Sequence, residues 1–268
     1  MPGASADPAE FHIKPLVAFA DVQRVAVITG ASSGLGAELA RALAGRGWRC
    51  VLLARREDRL RELADAIEAD YEVCDVADRE QVDAVAARVL DRHPRIGILV
   101  NNAGIPAGRA DFLTVEPDVL ERVFAVNFFA GVWVTRALMP GLEAAAPAHL
   151  VNMVSVAGTM AVGPYSASKH AQIAFSRTLA SQLRPRGIRV LTVKPGYVET
   201  EGFPQRSRMG PLGRRFVVDP PFVAERVVKA IERGRGELTV PRWYWFGSAA
   251  QALAPGLLSR FVGGNLGR

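Results

Sequence analysis

The sequence predicts an α/β protein, one domain built on a doubly wound, seven-stranded parallel sheet. Three observations carry that expectation. Short β-branched or aliphatic runs alternate with longer stretches of helical period, the order that gives parallel strands joined by crossover helices. The chain has 268 residues, 49% hydrophobic and 22% charged, enough to bury one large core. No internal repeat, low-complexity tract or linker divides it.

Residues 1–22 carry proline, alanine and acids ahead of any long apolar segment, which fits neither a secretory signal nor a spanning helix; they read as a loosely held extension. The domain proper is expected over 23–241. Its first strand falls at 24–29 and a helix at 34–46. Further strands follow at 49–54, 71–74, 96–101, 149–155, 188–194 and 237–240. Helices lie between them, including 78–92, a long one from 117 to about 145, and 165–183. The longest apolar stretch, 124–139, is interrupted by Asn127 and Arg136 and falls short of the roughly 20 residues a membrane crossing needs, so no transmembrane segment is predicted. Residues 196–220 hold Gly202, Pro204, Gly210, Pro211 and Gly213 and read as a mobile loop beside a ligand crevice. Residues 242–268 form an apolar tail.

The net charge of +6 does not imply nucleic acid, because arginines are mixed with acids, as in Arg55-Arg56-Glu57-Asp58-Arg59-Leu60-Arg61-Glu62. An anionic small ligand is the expected partner. Cys50 and Cys74 lack paired spacing and read as reduced, buried thiols of a cytoplasmic protein. His12, His93 and His149 show no metal-ligand spacing, so no metal is predicted, and His170 reads as packing or surface.

Two motifs carry chemistry. In Tyr165-Ser166-Ala167-Ser168-Lys169, helical spacing places a phenol and an ammonium on one face. A cation about 4 Å from a phenolate, at an effective dielectric of about 20, is worth roughly 4 kcal/mol and would bring the phenol toward neutrality. In Thr29-Gly30-Ala31-Ser32-Ser33-Gly34-Leu35-Gly36, small residues link a strand to an amphipathic helix, whose N-terminal N–H groups suit a pyrophosphate.

With Asn101-Asn102-Ala103-Gly104 and Lys194-Pro195-Gly196-Tyr197-Val198-Glu199-Thr200 in order after them, the chain resembles a short-chain dehydrogenase/reductase over residues 24–240. The resemblance implies a Rossmann-like fold, a nicotinamide dinucleotide, and hydride transfer to or from a carbonyl or alcohol carbon. It implies that Tyr165 is the general acid or base and that Ser155 hydrogen-bonds the reacting oxygen. Lys169 would lower the Tyr165 pKa and bind the nicotinamide ribose, and Asn127 would open its helix and hold a water. Gly30, Ser32, Ser33, Gly34, Leu35 and Gly36 would receive the pyrophosphate, with Asn102, Ala103 and Gly104 running beside the cofactor. Pro195, Gly196, Val198 and Thr200 would line its nicotinamide end. Asp75 would accept from the adenine amine with Val76 at the ring; a helix or turn cap is its other reading. Asn102 can also brace the sheet.

Arg55 and Arg56 stand where relatives that use the non-phosphorylated cofactor place an acid, so NADP(H) is expected over NAD(H), with Arg55 the leading contact to a 2′-phosphate. The sequence departs from the family pattern in two places: Ser155 lies only ten residues before Tyr165, and Val154 replaces a preceding serine. The substrate mouth, bounded by 105–112, 159–164, 196–220 and the tail, leans apolar and suggests a hydrophobic carbonyl or alcohol. Trp243-Tyr244-Trp245-Phe246 and the apolar run 251–262 read as a lid or subunit contact in preference to a peripheral lipid contact. The resemblance implies a homodimer or homotetramer. A catalytically silent dinucleotide-binding regulator of the same fold is the competing function.

Overall fold

The computed structural model describes residues 24–107, 111–160 and 163–246. The N-terminal extension and the apolar run 251–262 lie outside the described residues. Seven parallel strands form one sheet in the order β3-β2-β1-β4-β5-β6-β7. They are β1 (Val25–Thr29), β2 (Arg49–Ala54), β3 (Asp70–Val73), β4 (Ile98–Asn101), β5 (Ala148–Met153), β6 (Ile188–Pro195) and β7 (Glu237–Val240). The strands begin and end within two residues of the sequence expectation.

Side chains alternate across this sheet with the period of a strand. Ala26 and Ile28 of β1 face a core shared with Leu39 and Leu43 of α1 (Gly34–Ala44), Leu60 and Leu63 of α2 (Glu57–Ile67), and Val223 and Val227 of a later helix, Pro220–Glu232. Val25 and Val27 face the opposite core, with Val82 and Val89 of α3 (Arg79–Arg92) and Val134 and Leu138 of Ala130–Ala144. Both faces are therefore covered, which is why β1, β4 and β5 are buried along their whole length.

The long central helix is not uniform. It runs as α4 (Pro117–Phe124), a single π-helical turn (Ala125–Phe129) and α5 (Ala130–Ala144). By length and composition alone Pro117–Ala144 could cross a membrane, which the interrupted apolar run did not suggest. Its packing against α3, β4, β5 and the next helix, α6 (Pro164–Leu183), makes it an element of the domain. The segment between β6 and β7 is also more ordered than a plain loop. It holds a 3₁₀ turn (Arg206–Arg208), a short α7 (Pro211–Arg214) and α8 (Pro220–Glu232), and its neck is closed by a parallel bridge between Val198 and Val218.

A buried polar row crosses the sheet behind the site. Asn101 on β4 donates to Thr135 Oγ1 on α5 (2.8 Å) and to Asn152 Oδ1 on β5 (2.9 Å). Asn152 donates in turn to Ser176 Oγ on α6 (2.9 Å), which shares a 2.7 Å hydrogen bond with Thr192 on β6. Burying these side chains is tolerable because each makes at least one hydrogen bond inside the row, although Asn101 Oδ1 is left without a partner.

Candidate active site

The strand order reverses between β1 and β4, and ligand crevices in such sheets open there, at the carboxyl ends of the strands. The glycine loop leaves β1 at that point, with Gly30 and Gly34 at positive φ (67° and 56°). A Cβ at Gly36 would stand 2.3 Å from the Gly30 carbonyl oxygen and 2.5 Å from Asn102 Nδ2, so only glycine lets α1 start this close to the sheet. Ser33 provides no side-chain cap to α1 and no acid occupies the first turn. The uncapped N–H groups and the positive end of the helix dipole remain available to an anion, so the residues present fit a dinucleotide pyrophosphate.

Arg55 and Arg56 follow β2 and are exposed. Arg56 reaches back over the glycine loop, donating to Ser32 Oγ at 3.2 Å and to Ser33 Oγ, and pairs with Glu201 Oε1 at 3.0 Å. Arg55 lies 3.8 Å from Asp75 Oδ2. Of the two guanidiniums, Arg56 is the one gathered with the loop hydroxyls. Beside it a cleft of about 360 Å³ is lined by Ser32, Ser33, Gly34, Arg59 and Glu201.

Asp75 accepts from Ala77 N (3.0 Å) and from Arg122 Nη2 (2.6 Å), a partner on α4 that the sequence did not reveal. Partial burial pushes its carboxyl up, but Arg122 and the Ala77 N–H outweigh this and hold it below the usual range. The cap of α3 is Asp78, which accepts from Glu80 N and Gln81 N. Val76 is buried in the core beside Cys74. Asn102 braces the sheet: its side chain donates to Thr29 O (3.0 Å) and Gly30 O (3.3 Å), while Thr29 Oγ1 accepts from Asn102 N and Ala103 N.

Asn127 sits inside the π-helical turn and is almost fully buried, at 1% exposure. The turn frees its amide to clasp the backbone of Ile105, accepting from N at 2.8 Å and donating to O at 3.0 Å, and to donate to Ser168 Oγ at 3.1 Å. A Cβ at Gly104 would lie 3.4 Å from both Asn127 Oδ1 and Lys169 Nζ, so the missing side chain leaves a gap between amide and amine.

Ser155 ends the chain's run along β5 and its hydroxyl accepts from Ala157 N at 3.1 Å. It also hydrogen-bonds the Tyr165 phenol. Tyr165 is in the first turn of α6, and Ser166 anchors that turn to Ala157 O and Met160 O. One turn on, Lys169 is buried and donates to Met153 O (3.1 Å) and Gln172 Oε1 (2.9 Å). Ser155, Tyr165, Lys169 and Asn127 are thus brought to one place. His170 is exposed, its Nδ1 2.8 Å from Gly158 O.

The electrostatics correct the sequence reading. Lys169 Nζ is 5.9 Å from the Tyr165 ring centroid, and burial acts on both groups more strongly than either acts on the other. Burial pushes the Tyr165 phenol up to about 12, tempered by the Ser155 hydrogen bond, and pushes Lys169 down to about 7. Burial therefore favours the uncharged form of both side chains, opposite to the expected effect of Lys169 on the phenol.

Pro195 and Val198 are buried at the end of β6, and Thr200 lies over the glycine loop, its Cβ and Cγ2 each 3.1 Å from where a Cβ at Gly34 would be. Phe203 brings its ring to 5.8 Å from that of Tyr165. Among the described residues no group of three His, Cys, Asp or Glu side chains could hold a metal ion.

The family model for short chain dehydrogenases matches residues 24–209. The chain belongs to the short-chain dehydrogenase family. It is 35% identical over 244 residues to a protein whose name assigns it as a ketoacyl reductase of Streptomyces coelicolor, covering 80% of this chain and 92% of that one. A short-chain dehydrogenase from Streptomyces avermitilis superposes with a TM-score of 0.76 at 29% identity, covering 90% of this chain and 99% of the other. A single-substitution variant of the actinorhodin polyketide ketoreductase, with NADPH, superposes with a TM-score of 0.73 at 31% identity, covering 81% and 95%. This short-chain dehydrogenase is accordingly an oxidoreductase with a nicotinamide-binding Rossmann fold.

The sequence did not single out Arg122, Gln172, Ser168, Phe203 or Glu201 as individual residues of this site, although Glu201 and Phe203 fall in the 196–220 segment expected beside the crevice. Ser168 lies three residues after Tyr165 and Gln172 three after Lys169, so both were findable from helical spacing. Arg122 meets Asp75 from a distant segment and left no local signal.

Proposed function

We propose that this short-chain dehydrogenase is an NADP(H)-dependent carbonyl reductase acting on a hydrophobic ketone or aldehyde, with NAD(H) the lesser cofactor. The observation that carries this reading is the Tyr165 phenol, bonded to Ser155 and kept protonated by burial, one helical turn from Lys169. A nicotinamide dinucleotide, when bound, supplies the hydride. Tyr165 Oη gives its proton to the oxygen that becomes a hydroxyl, and Ser155 Oγ donates a hydrogen bond to that oxygen as charge gathers on it. A phenol that holds its proton in the neutral range can serve as the acid for reduction. Lys169 passes a proton to the phenolate and takes its own from solvent by way of a water held at Asn127, across the Gly104 gap.

Preference for the phosphorylated cofactor rests on Arg55 and Arg56, the latter already seated on Ser32 and Ser33. Similarity supports it: an alcohol dehydrogenase from Thermococcus sibiricus complexed with 5-hydroxy-NADP superposes with a TM-score of 0.72 at 26% identity. Exposed Tyr197 and Phe216, with Phe203 against Tyr165, support an apolar substrate. Self-association would use the outer face of the central helix, where exposed Phe129 stacks on Trp133 at 5.8 Å. The test mixes NADPH with a panel of aldehydes and ketones and follows the cofactor's absorbance. Tyr165→Phe should bind NADPH within a few-fold of wild type while turnover falls by at least ~100-fold. Turnover retained above a few per cent sinks the role of Tyr165.

A further inference from the structure

Tyr244 lies past β7, beyond the residues matched by the family model, yet it touches the nicotinamide end of the site. Its ring fills the space beside Gly196: a Cβ there would fall 2.2 Å from Cε2, 2.4 Å from Cδ2 and 2.7 Å from Cζ. Its hydroxyl donates to Phe216 O at 3.1 Å and is also hydrogen-bonded by the Tyr197 backbone. Its ring meets that of Tyr197 edge-on, centroids 6.0 Å apart. Tyr197 and Phe216 are the two sides of one neck, which the main chain closes through Val218 N to Tyr197 O (3.0 Å) and Glu199 N to Val218 O (3.0 Å). The loop hung from that neck carries Thr200, packed on the glycine loop, and Phe203, packed on Tyr165.

We propose that Tyr244 is a positioning residue: a clamp across the neck of 197–218 that sets Thr200 and Phe203 over the reacting centre, and so sets affinity for the carbonyl substrate. The clamp acts through Gly196, Phe216 and Phe203. It also explains why Gly196 lacks a side chain, since a methyl group and the Tyr244 ring cannot share one space. The inference rests on the carbonyl-reductase reading for its effect on substrate, while the clamp itself is testable without turnover.

Four variants decide it. Tyr244→Phe keeps the ring and loses the hydroxyl; the substrate KM should rise about 5-fold, the worth of one hydrogen bond, with kcat and the NADPH Kd within twofold. Tyr244→Ala loses both, and substrate KM should rise at least tenfold. Limited trypsin digestion at Arg206 and Arg214 should quicken at least tenfold, with the melting temperature of the domain within about 3 °C. Gly196→Ala should weaken NADPH binding, read by cofactor fluorescence, and Gly196→Ala/Tyr244→Ala should recover part of that loss.

If the substrate KM of Tyr244→Ala stays within twofold of wild type, or the double variant binds NADPH no better than Gly196→Ala, the proposal is overturned. If the wild-type protein reduces no carbonyl, the functional reading has failed instead. Trypsin rates and NADPH binding then decide the clamp by themselves, and unchanged rates overturn it.

Discussion

Replacing Lys169 by methionine should remove a pH dependence from the stability of the cofactor-free protein. Lys169 is buried against two neutral acceptors, Met153 O and Gln172 Oε1, and burial pushes its pKa from 10.5 to about 7. Between those values the unfolded chain holds a proton that the folded chain has released, so stability rises with pH there and is flat below about 7. From pH 7.5 to 9.5 the gain integrates to about 2.5 kcal/mol at about 1.4 kcal/mol per unit. The upper limit is set by Tyr165, whose folded pKa near 12 lies above its unfolded value of 10.0; stability falls as pH climbs between those two values. Urea unfolding of wild type and Lys169→Met at pH 7.5 and 9.5 measures the effect. The wild type should gain roughly 2–3 kcal/mol relative to the variant across that step. Packing and hydrogen bonds lost with the amine do not depend on pH in this window, so they cancel in the comparison. A difference that stays constant within about 0.5 kcal/mol would mean that Lys169 is charged in the folded protein throughout, and the argument from burial would be refuted.

Other outcomes follow from the glycine loop and its neighbours. Gly36→Ala sets a methyl 2.3 Å from the Gly30 carbonyl, where backbone must move; it should cost about 1–3 kcal/mol, seen by calorimetry as a melting temperature lower by roughly 2–4 °C per kcal/mol. An unchanged melting temperature would show that α1 can shift away from the sheet freely. Arg55→Asp and Arg56→Asp should each raise the Kd for NADPH and leave that for NADH nearly unchanged. Because Arg56 is the one seated on Ser32 and Ser33, its variant should lose more; the reverse order would return the leading role to Arg55.

What the sequence made legible was whatever repeats with a short period or sits at a strand end. Strands such as Arg49–Ala54 announce themselves as unbroken aliphatic runs, and the glycine loop follows β1 where a Rossmann-like sheet requires it. Helix α2 was legible but not bounded: Leu60, Leu63, Ala64 and Ile67 keep helical spacing, but the charges of both signs that surround them carry no cap or stop signal. The long helix Pro117–Ala144 could be seen, whereas its π-helical turn came only from the family resemblance, because five apolar and amide residues carry no mark of one extra residue per turn. The signs of the Tyr165 and Lys169 shifts could not be read at all. Spacing along a helix gives proximity, while burial comes from β5, the turn after Ser155 and Gly104, all remote in sequence. Arg122 beside Asp75 and Tyr244 beside Gly196 are separated by about fifty residues and had the same obstacle.

The polar row from Thr135 through Asn101, Asn152 and Ser176 to Thr192 works as an indexing device for the chemistry in front of it. Greasy contacts let a helix slide by part of a turn with little change in energy, but a row of buried amides and hydroxyls keeps its run of hydrogen bonds in one alignment only. Ser176 lies on the same helix as Tyr165 and Lys169, so locking it to β5 and β6 fixes how far α6 is advanced along the sheet, and hence the height of the phenol above the crevice. Mouth loops can then be lengthened, shortened or exchanged without retuning the reacting atoms. Selection for a new substrate would act on the rim and leave this hidden ratchet untouched.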